Sequence, residues 1–472
     1  MNKRFRVCDL NQVFLLPPCL QDWLPEDHLA RFIADVSNEL DLAAIYSEYE
    51  RKDGRGLSAY HPLLLTRLLL YGYATGVTSS RRIERATHDD IAFRYLAADQ
   101  HPDHDTIAAF RSEHLNTLAG LFLQALRLCQ KAGLVKLGNV AIDGTKMMAN
   151  ASLHRSVSYS KLKDREQYWK ETVETLLNAA EQTDREEDQK WGSGNKGEEL
   201  PAELADAKGR LERIRRAKQE LEEEARKQLE EAQKNFAPRP PGRPRKDAAP
   251  IQKEDLQQRQ RAKGRLRRAR RNATEPERQY NFVDPDSRVM LDHARKCYTQ
   301  AYNAQLATDG HAQVIVAAEL TQQTVDRQQL IPMVEAVNNA TGMRPEAITA
   351  DAGYWDSVSL RDQRLTGINL LVSPDSKPLA PDAVLPLTVP HTEDARRMRE
   401  KLAAETGKAL YKMRKAIVEP VFGQIKEVRN LRRFRLRGFI RASGEWKLIC
   451  ATHNLLKLFR YRTAFRPASV IS

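Results

Sequence analysis

The chain has 472 residues, 41% of them hydrophobic and 29% charged, and 76 lysines and arginines against 63 aspartates and glutamates give a formal net charge of +13. That apolar content excludes a wholly disordered chain, and no stretch reaches the roughly 18 uninterrupted apolar residues of a bilayer span; the richest run, 62–73, is broken by Thr66 and Arg67. A folded protein of about two to four domains with a polyanionic partner is expected. The opening MNKRFRVCDLNQ is basic but leads into no apolar stretch of signal-peptide length, so export is not expected. Five widely spaced cysteines with no C-x-x-C pair suit a reducing, cytoplasmic compartment and argue against a disulfide or zinc framework.

The first 130 residues read as helical. Leu29, Phe32, Ile33, Val36 and Leu40 recur at helical spacing. A second helix starts at Pro62 with Leu63, Leu64, Leu68 and Tyr71, and Gly72 and Gly76 weaken its end. Ser79 or Ser80 caps a third through Ile83 and Ala86, and Asp103 or Asp105 in the segment 101–107 caps a fourth. Such a bundle serves DNA binding or oligomerisation equally well. From Gly133 the period changes, and 134–143 reads as a buried strand ending on an acid.

An insertion of different character follows over 156–280. It offers a helix at 161–180 and a long charged helix at 201–236, whose seam of Leu204, Leu211, Ile214, Leu221, Ala225 and Leu229 approximates a heptad. The prolines of 237–246 exclude helix and sheet there. Eight basic residues then fall between Arg259 and Arg271 with no acid among them, in what is either a solvated linker or a DNA contact. Strands are expected at 301–308 and 313–320 around Asp309-Gly310, an amphipathic helix at 325–340, and short strands at 347–351 and 368–372. Strands alternating with helices point to a mixed α/β sheet.

Two acids, Asp143 in VAIDGTK and Asp351 in AITADAGY, stand at expected strand ends with small residues after them, where a carboxylate is rigidly held and accessible. Asp-Gly is also ordinary turn chemistry, so neither is decisive alone. A third acid, Glu419, lies on an expected helix interrupted by Pro420. It shares a face with Lys426 seven residues on, an arrangement suited to a metal beside a phosphate. Asn303 and Gln305 alternate on their strand and either face such a centre or hydrogen-bond the sheet.

Five blocks in order carry a family resemblance: IDGTKMMANAS at 142–152, DPDSR at 284–288, YNAQLATD at 302–309, ADAGYW at 350–355 and VEPVFGQIK at 418–426. With GRGLSAYHPLLLTRLLLYGYATG at 54–76 and DHDTIAAFR at 103–111, the chain resembles the DDE transposases of bacterial insertion sequences. The resemblance implies an α/β fold with an RNase H-like mixed-sheet catalytic core. A helical N-terminal domain would cover 1–130 and the first core strand 131–155. A helical, partly disordered basic insertion would cover 156–280, and the rest of the core with basic C-terminal helices 281–472. It implies that Asp143, Asp351 and Glu419 are the catalytic, metal-binding acids, and that Tyr411, Arg414, Glu419 and Lys426 form the Tyr-Arg-Glu-Lys signature. Four residues separate Arg414 from Glu419 here, where the commonest form has three. The cofactor implied is Mg²⁺, two ions per site with Mn²⁺ as a substitute. Such a pair lies about 3.5–4 Å apart and serves both the attacking and the leaving oxygen of an in-line displacement.

The charge supports a duplex partner. Between Tyr411 and Arg466 fifteen basic residues face three acids, so Arg429, Arg432 and Arg433 join Tyr411, Arg414 and Lys426 as expected DNA contacts. Arg243 and Arg245, in a Gly-Arg-Pro-Arg core resembling an AT-hook, are candidates for the minor groove. The expected partners are the transposon ends and target DNA, with no membrane, and a homodimer is expected on DNA because two ends must be processed. Two other readings stand beside this one: an inactive DNA-binding regulator descended from such an enzyme, and a tyrosine recombinase using Arg432, His453 and Tyr461.

Overall fold

The structure, a computed structural model, describes residues 19–50, 59–191, 202–236, 253–292, 295–357, 359–375 and 392–464. Arg243, Arg245 and the proline-rich segment lie outside them. The elements run α1 (Leu29–Asn38), α2 (Ala43–Glu50), α3 (Pro62–Thr75), α4 (Ser80–Asp89), α5 (Ile91–Leu96), α6 (His104–Glu113), α7 (Leu115–Lys131) and β1 (Asn139–Met148). Next come β2 (Ser156–Val157), α8 (Tyr159–Trp191), α9 (Ala202–Lys234), α10 (Lys253–Thr274), β3 (Tyr280–Asn281) and β4 (Arg288–Asp292). The chain continues through β5 (Cys297–Asp309), β6 (Ile315–Thr321), α11 (Leu330–Thr341), β7 (Ala347–Ala350), β8 (Asn369–Val372), α12 (Glu393–Ala403), α13 (Glu405–Gly423) and α14 (Phe439–Ala464). Two compact units result, one of residues 1–150 with 301–472 and one of residues 151–300.

In the first unit the hydrogen-bonded strands run β6-β5-β1-β7-β8. Strands β1, β5 and β6 are antiparallel neighbours, whereas β7 and β8 run parallel to β1. The sheet is mixed, as the alternation of elements predicts. One expectation needs correction: β1 does not stop at Asp143 but continues to Met148, because β5 pairs with it from Val140↔Asp309 to Met148↔Ala301. What ends at Asp143 is the parallel pairing with β7, whose last partners are Ile142 and Ala350.

The predicted helix signals hold locally. Pro62 opens α3 with His61 as N-cap, and Gly76 closes it in the left-handed region at φ +84°, where a Cβ would also meet the carbonyl of Arg429. Asp103 caps α6 by accepting the Thr106 N–H at 2.6 Å. Helix α14 buries most of its residues between Ala442 and Leu458, polar ones included. Its Trp446 donates to the Gln305 carbonyl on β5 at 3.3 Å. Its Asn454 amide pairs with both backbone groups of Ile315 on β6, at 2.9 Å each.

A buried polar cluster ties the helices of this unit together. Glu445, 1% exposed, accepts the Tyr73 hydroxyl at 2.7 Å and the backbone N–H groups of Arg435 and Leu436 at 2.8 and 2.9 Å. Arg111 donates to the Thr78 carbonyl at 2.7 Å and the Ser80 hydroxyl at 3.2 Å. Removing one member of a buried network strands the others without water, which is why such groups cost most when half satisfied.

The second unit is helical, with the short pair β2 and β3 between its helices' ends. The expected seam is real: Leu204, Leu211, Ile214, Leu221 and Ala225 of α9 are buried, against Val157, Tyr159, Leu162 and Val173. The run from Arg259 to Arg271, open between linker and DNA contact on sequence, lies on α10, which buries Leu266 and Ala269 and leaves Arg259, Lys263, Arg265, Arg267 and Arg270 exposed.

Replacing Glu445 with Ala should lower the unfolding free energy by on the order of 3 kcal/mol. Urea denaturation of the two full-length chains measures it; an unchanged midpoint would mean that the cluster holds nothing together.

Candidate active site

Adjacent parallel strands fix the first two acids. Ile142 and Ala350 are register partners, so the next residues, Asp143 and Asp351, leave the paired segment side by side. The Asp143 carboxylate accepts the Gly144 N–H at 2.8 Å, and that of Asp351 accepts the Gly353 N–H at 2.9 Å. Burial pushes the Asp143 carboxyl up to about 7, helped by repulsion from Asp351 and, less, from Asp326, while Arg414 pulls the other way. Asp351 is also raised, by burial first, with Arg414 opposing and Asp326 adding. Two carboxylates that repel each other at low exposure are short of positive charge.

Asp326 is an acid the sequence reading passes over. It lies in the loop between β6 and α11, and its Oδ1 accepts from Asn303 and Gln305 of β5 at 2.7 Å each. Those two amides, for which the alternation on β5 left two roles open, therefore hold Asp326. The register places Gly144 opposite Gln305 and Lys146 opposite Asn303. A Cβ on Gly144 would come within 3.1 Å of three polar atoms, of Gln305, Asp326 and Asn303, so only glycine leaves this corner open. Lys146, its ammonium pKa lowered by burial, stands 3.9 Å from Asp326 Oδ1. The fully buried Tyr354 donates its hydroxyl to Gln305 Oε1.

Helix α13 crosses this sheet with Ile417 and Val418 packed on Ala141. That contact turns Arg414 inward: it is 8% exposed, and its guanidinium lies 3.5 Å from Asp143 Oδ2 and 5.8 Å from the Tyr411 ring. Pro420 cannot donate to the Ala416 carbonyl, and the side chain of Gln313 does so instead at 2.9 Å, which lets the helix run on. A π turn at Gln424–Val428 follows, and from it Lys426 reaches Thr145 Oγ1 at 2.5 Å and the Lys146 carbonyl at 2.9 Å.

The structure does not bring every expected residue to this centre. Glu419 lies about 140° around the helix from Arg414, is exposed, and makes no hydrogen bond or ion pair among the described residues. Arg429, expected on DNA, is 3% exposed and donates to Thr452 Oγ1 at 2.9 Å and the Ile449 carbonyl at 3.3 Å. It is a buried strut between α3 and α14, because the chain turns inward straight after the π turn. Arg432 is ion-paired with Glu427, whereas Arg433 is exposed. His453 is buried with Nε2 on the Gln313 carbonyl at 3.0 Å, and burial pushes its pKa down to about 3.

Two family matches bear on this chain. The family described as Transposase domain (DUF772) matches residues 18–113, and the family described as Transposase DDE domain matches residues 384–459. The two matches support an insertion-sequence DDE transposase. The second match spans Tyr411, Arg414, Glu419 and Lys426, whereas Asp143, Asp326 and Asp351 lie outside both. No curated protein and no solved structure matches the chain. DDE transposases generally use divalent metals. Among the described residues of this chain no group of three His, Cys, Asp or Glu side chains is gathered closely enough to hold one. The donors nonetheless fit a hard cation in kind, since Asp143 and Asp351 are oxygen ligands whose charge is poorly compensated by Arg414 alone. Among those residues no helix is long and apolar enough to cross a membrane.

The raised pKa of Asp143 has a thermodynamic consequence. An unfolded aspartate ionises near the ordinary value of 3.8, the native one near 7, so the native state holds the extra proton between them. Stability contributed by this group therefore falls as pH rises from about 4 to about 7, and the full cost is carried above. In EDTA at pH 8, Asp143→Asn should be more stable than the parent by on the order of 1–3 kcal/mol, with the gap closing toward pH 4. Paired denaturation curves across that range check it, and a gap independent of pH would contradict the electrostatic cause.

Proposed function

We propose that this transposase binds the ends of its own element, cuts the DNA there in a divalent-metal-dependent reaction and joins the freed 3′ ends to target DNA. The observation that carries the reading is the side-by-side exit of Asp143 and Asp351 from registered parallel strands, with Arg414 and Lys426 at the same sheet edge. The strand order, three antiparallel strands followed by two parallel to the first, supports an RNase H-like core. Glu419 enters as the third acid through its place in VEPVFGQIK, within the matched DDE segment.

In the cutting step the oxygen of a water attacks phosphorus in line, its proton goes to solvent, and the 3′ oxygen leaves. In the joining step that oxygen, protonated from solvent to a 3′ hydroxyl, is the nucleophile; its proton returns to solvent as it bonds the target phosphorus, and the target 3′ oxygen leaves and takes a proton up. Mg²⁺ held by Asp143 and Asp351 would supply the charge that lowers the pKa of the attacking oxygen and stabilises the leaving one, and Glu419, exposed on α13, would have to turn toward them to join. The chain's own part is placement. Asp143 and Asp351 are fixed by backbone N–H groups on a rigid sheet. Arg414 balances Asp143 and, when a cation takes over that duty, has a planar fork for a phosphate. Lys426 braces α13 against β1. Exposed Arg433, Arg435, Arg437 and Arg441 follow along the chain and suit the backbone of a duplex, with a steep salt dependence.

A tyrosine recombinase is disfavoured by the burial of His453, whose ring is occupied with a backbone carbonyl. The deciding experiment is cleavage of duplex DNA carrying the element's ends, with Mg²⁺ or EDTA, by the parent and by Asp143→Ala. Cutting that needs Mg²⁺ and falls by at least about a thousandfold in the variant is expected. Cutting that survives the substitution would overturn the site, and binding without cutting by either protein would make the chain a regulator.

A further inference from the structure

The helices of the second unit handle their charge in opposite ways. On α9 basic residues are matched by acids: Arg210 pairs with Asp206 at 2.7 Å, Arg216 with Glu220 at 3.1 Å, and Lys218 with Glu166 of α8 at 2.8 Å. On α10 no acid stands from Leu256 to Thr274, and among the described residues only Arg268 and Arg271 are ion-paired, both with Glu277. Arg259, Lys263, Arg267 and Arg270 are exposed, and their side chains have no ion pair or hydrogen bond among the described residues.

Those four follow one another at intervals of four, four and three residues, so they share about 80° of arc in a stripe about 16 Å long. Helix α10 packs along α9 and buries Leu266 and Ala269, which fixes its rotation and keeps the stripe in solvent. Like charges three and four apart repel each other and weaken a helix. No described residue of the unit offsets that repulsion along the stripe, but a row of anions beside it would. The composition of α10 narrows the choice of anion. It has no aromatic side chain on which single-stranded bases could stack. Among its described residues no apolar side chain is exposed to enter a membrane. Guanidinium forks and an ammonium remain, and these suit phosphate oxygens. One strand of a duplex offers a phosphate for about every 3.4 Å of axis, so the stripe spans about five.

We propose that the stripe of Arg259, Lys263, Arg267 and Arg270 on α10 is a duplex-DNA-binding surface that grips the phosphate backbone whatever the base sequence. It lies in the second unit, outside both family matches, and is separate from the acids of the first unit. It needs neither metal nor cutting, so it stands or falls independently of the reaction proposed above.

The test is fluorescence anisotropy of a labelled DNA duplex unrelated in sequence to the element's ends, titrated in EDTA with the full-length chain over a range of salt. One variant carries Arg259→Gln, Lys263→Gln, Arg267→Gln and Arg270→Gln; glutamine is a good helix former and these side chains hold nothing in place, so the fold should persist. A second variant removes the same charge from exposed positions of α9, through Arg213→Gln, Arg216→Gln, Arg226→Gln and Lys227→Gln. The α10 variant should bind about tenfold or more weakly, with the slope of log affinity against log salt reduced by about 2 to 4, and the α9 variant should stay close to the parent. Parent-like binding by the α10 variant, or an equal loss in the α9 variant, would overturn the proposal. So would phosphatidylserine vesicles that bind the parent and not the α10 variant while duplex binding is unchanged, since that would make the stripe a membrane contact. A further measurement needs no variant: the duplex should protect Lys263 of the parent from acetylation by acetic anhydride. Equal labelling of Lys263 with and without DNA would also overturn the proposal.

Discussion

The parallel register of β1 and β7 is the constraint on which the candidate site depends. Pairing Ile142 with Ala350 obliges Asp143 and Asp351 to follow as neighbours where the parallel pairing ends. The pair is costly, as the raised carboxyl of Asp143 reports. Two repelling carboxylates kept together at that cost mark a candidate functional site. Arg414 relieves part of the cost, while Lys146 and the β5 amides Asn303 and Gln305 turn to a further acid, Asp326.

Around that edge the first unit is braced by polar groups as much as by its apolar core. Glu445, Tyr73, Arg111 and Arg429 link α3, α6, α14 and the segment after Lys426 by bonds that no solvent competes for. The chain therefore enters and leaves the π turn along fixed paths, so the height of Lys426 on β1 is set from both sides. Gln313 contributes from a third direction, by accepting the role that Pro420 cannot fill on α13.

The arginines show how charge read along a sequence can mislead. Arg429 and Arg433 belong to one basic run, yet the first supports backbone carbonyls inside the unit and the second faces solvent. A guanidinium's role is decided by which carbonyls the fold leaves unpaired nearby, and that is invisible in composition. In the second unit the opposite holds: a heptad-like seam needs only local periodicity, and of the residues expected to be buried on α9 all but the half-buried Leu229 are.

By itself the sequence determined most element types, the start of α3 at Pro62, Asp103 as one of two candidate caps of α6, the mixed character of the sheet, and Asp143 and Asp351 as acids on or directly after strands, because all of these follow from short-range periodicity and cap chemistry. It also carried the ordered blocks that mark the family. Only the tertiary structure decided that β1 runs past Asp143 and that Glu419 lies on the exposed side of α13. It alone brought Asp326 to the acids through amides on β5. These depend on pairing partners more than a hundred residues away and on which helix face meets Ala141, and neither is encoded in any window of neighbouring residues.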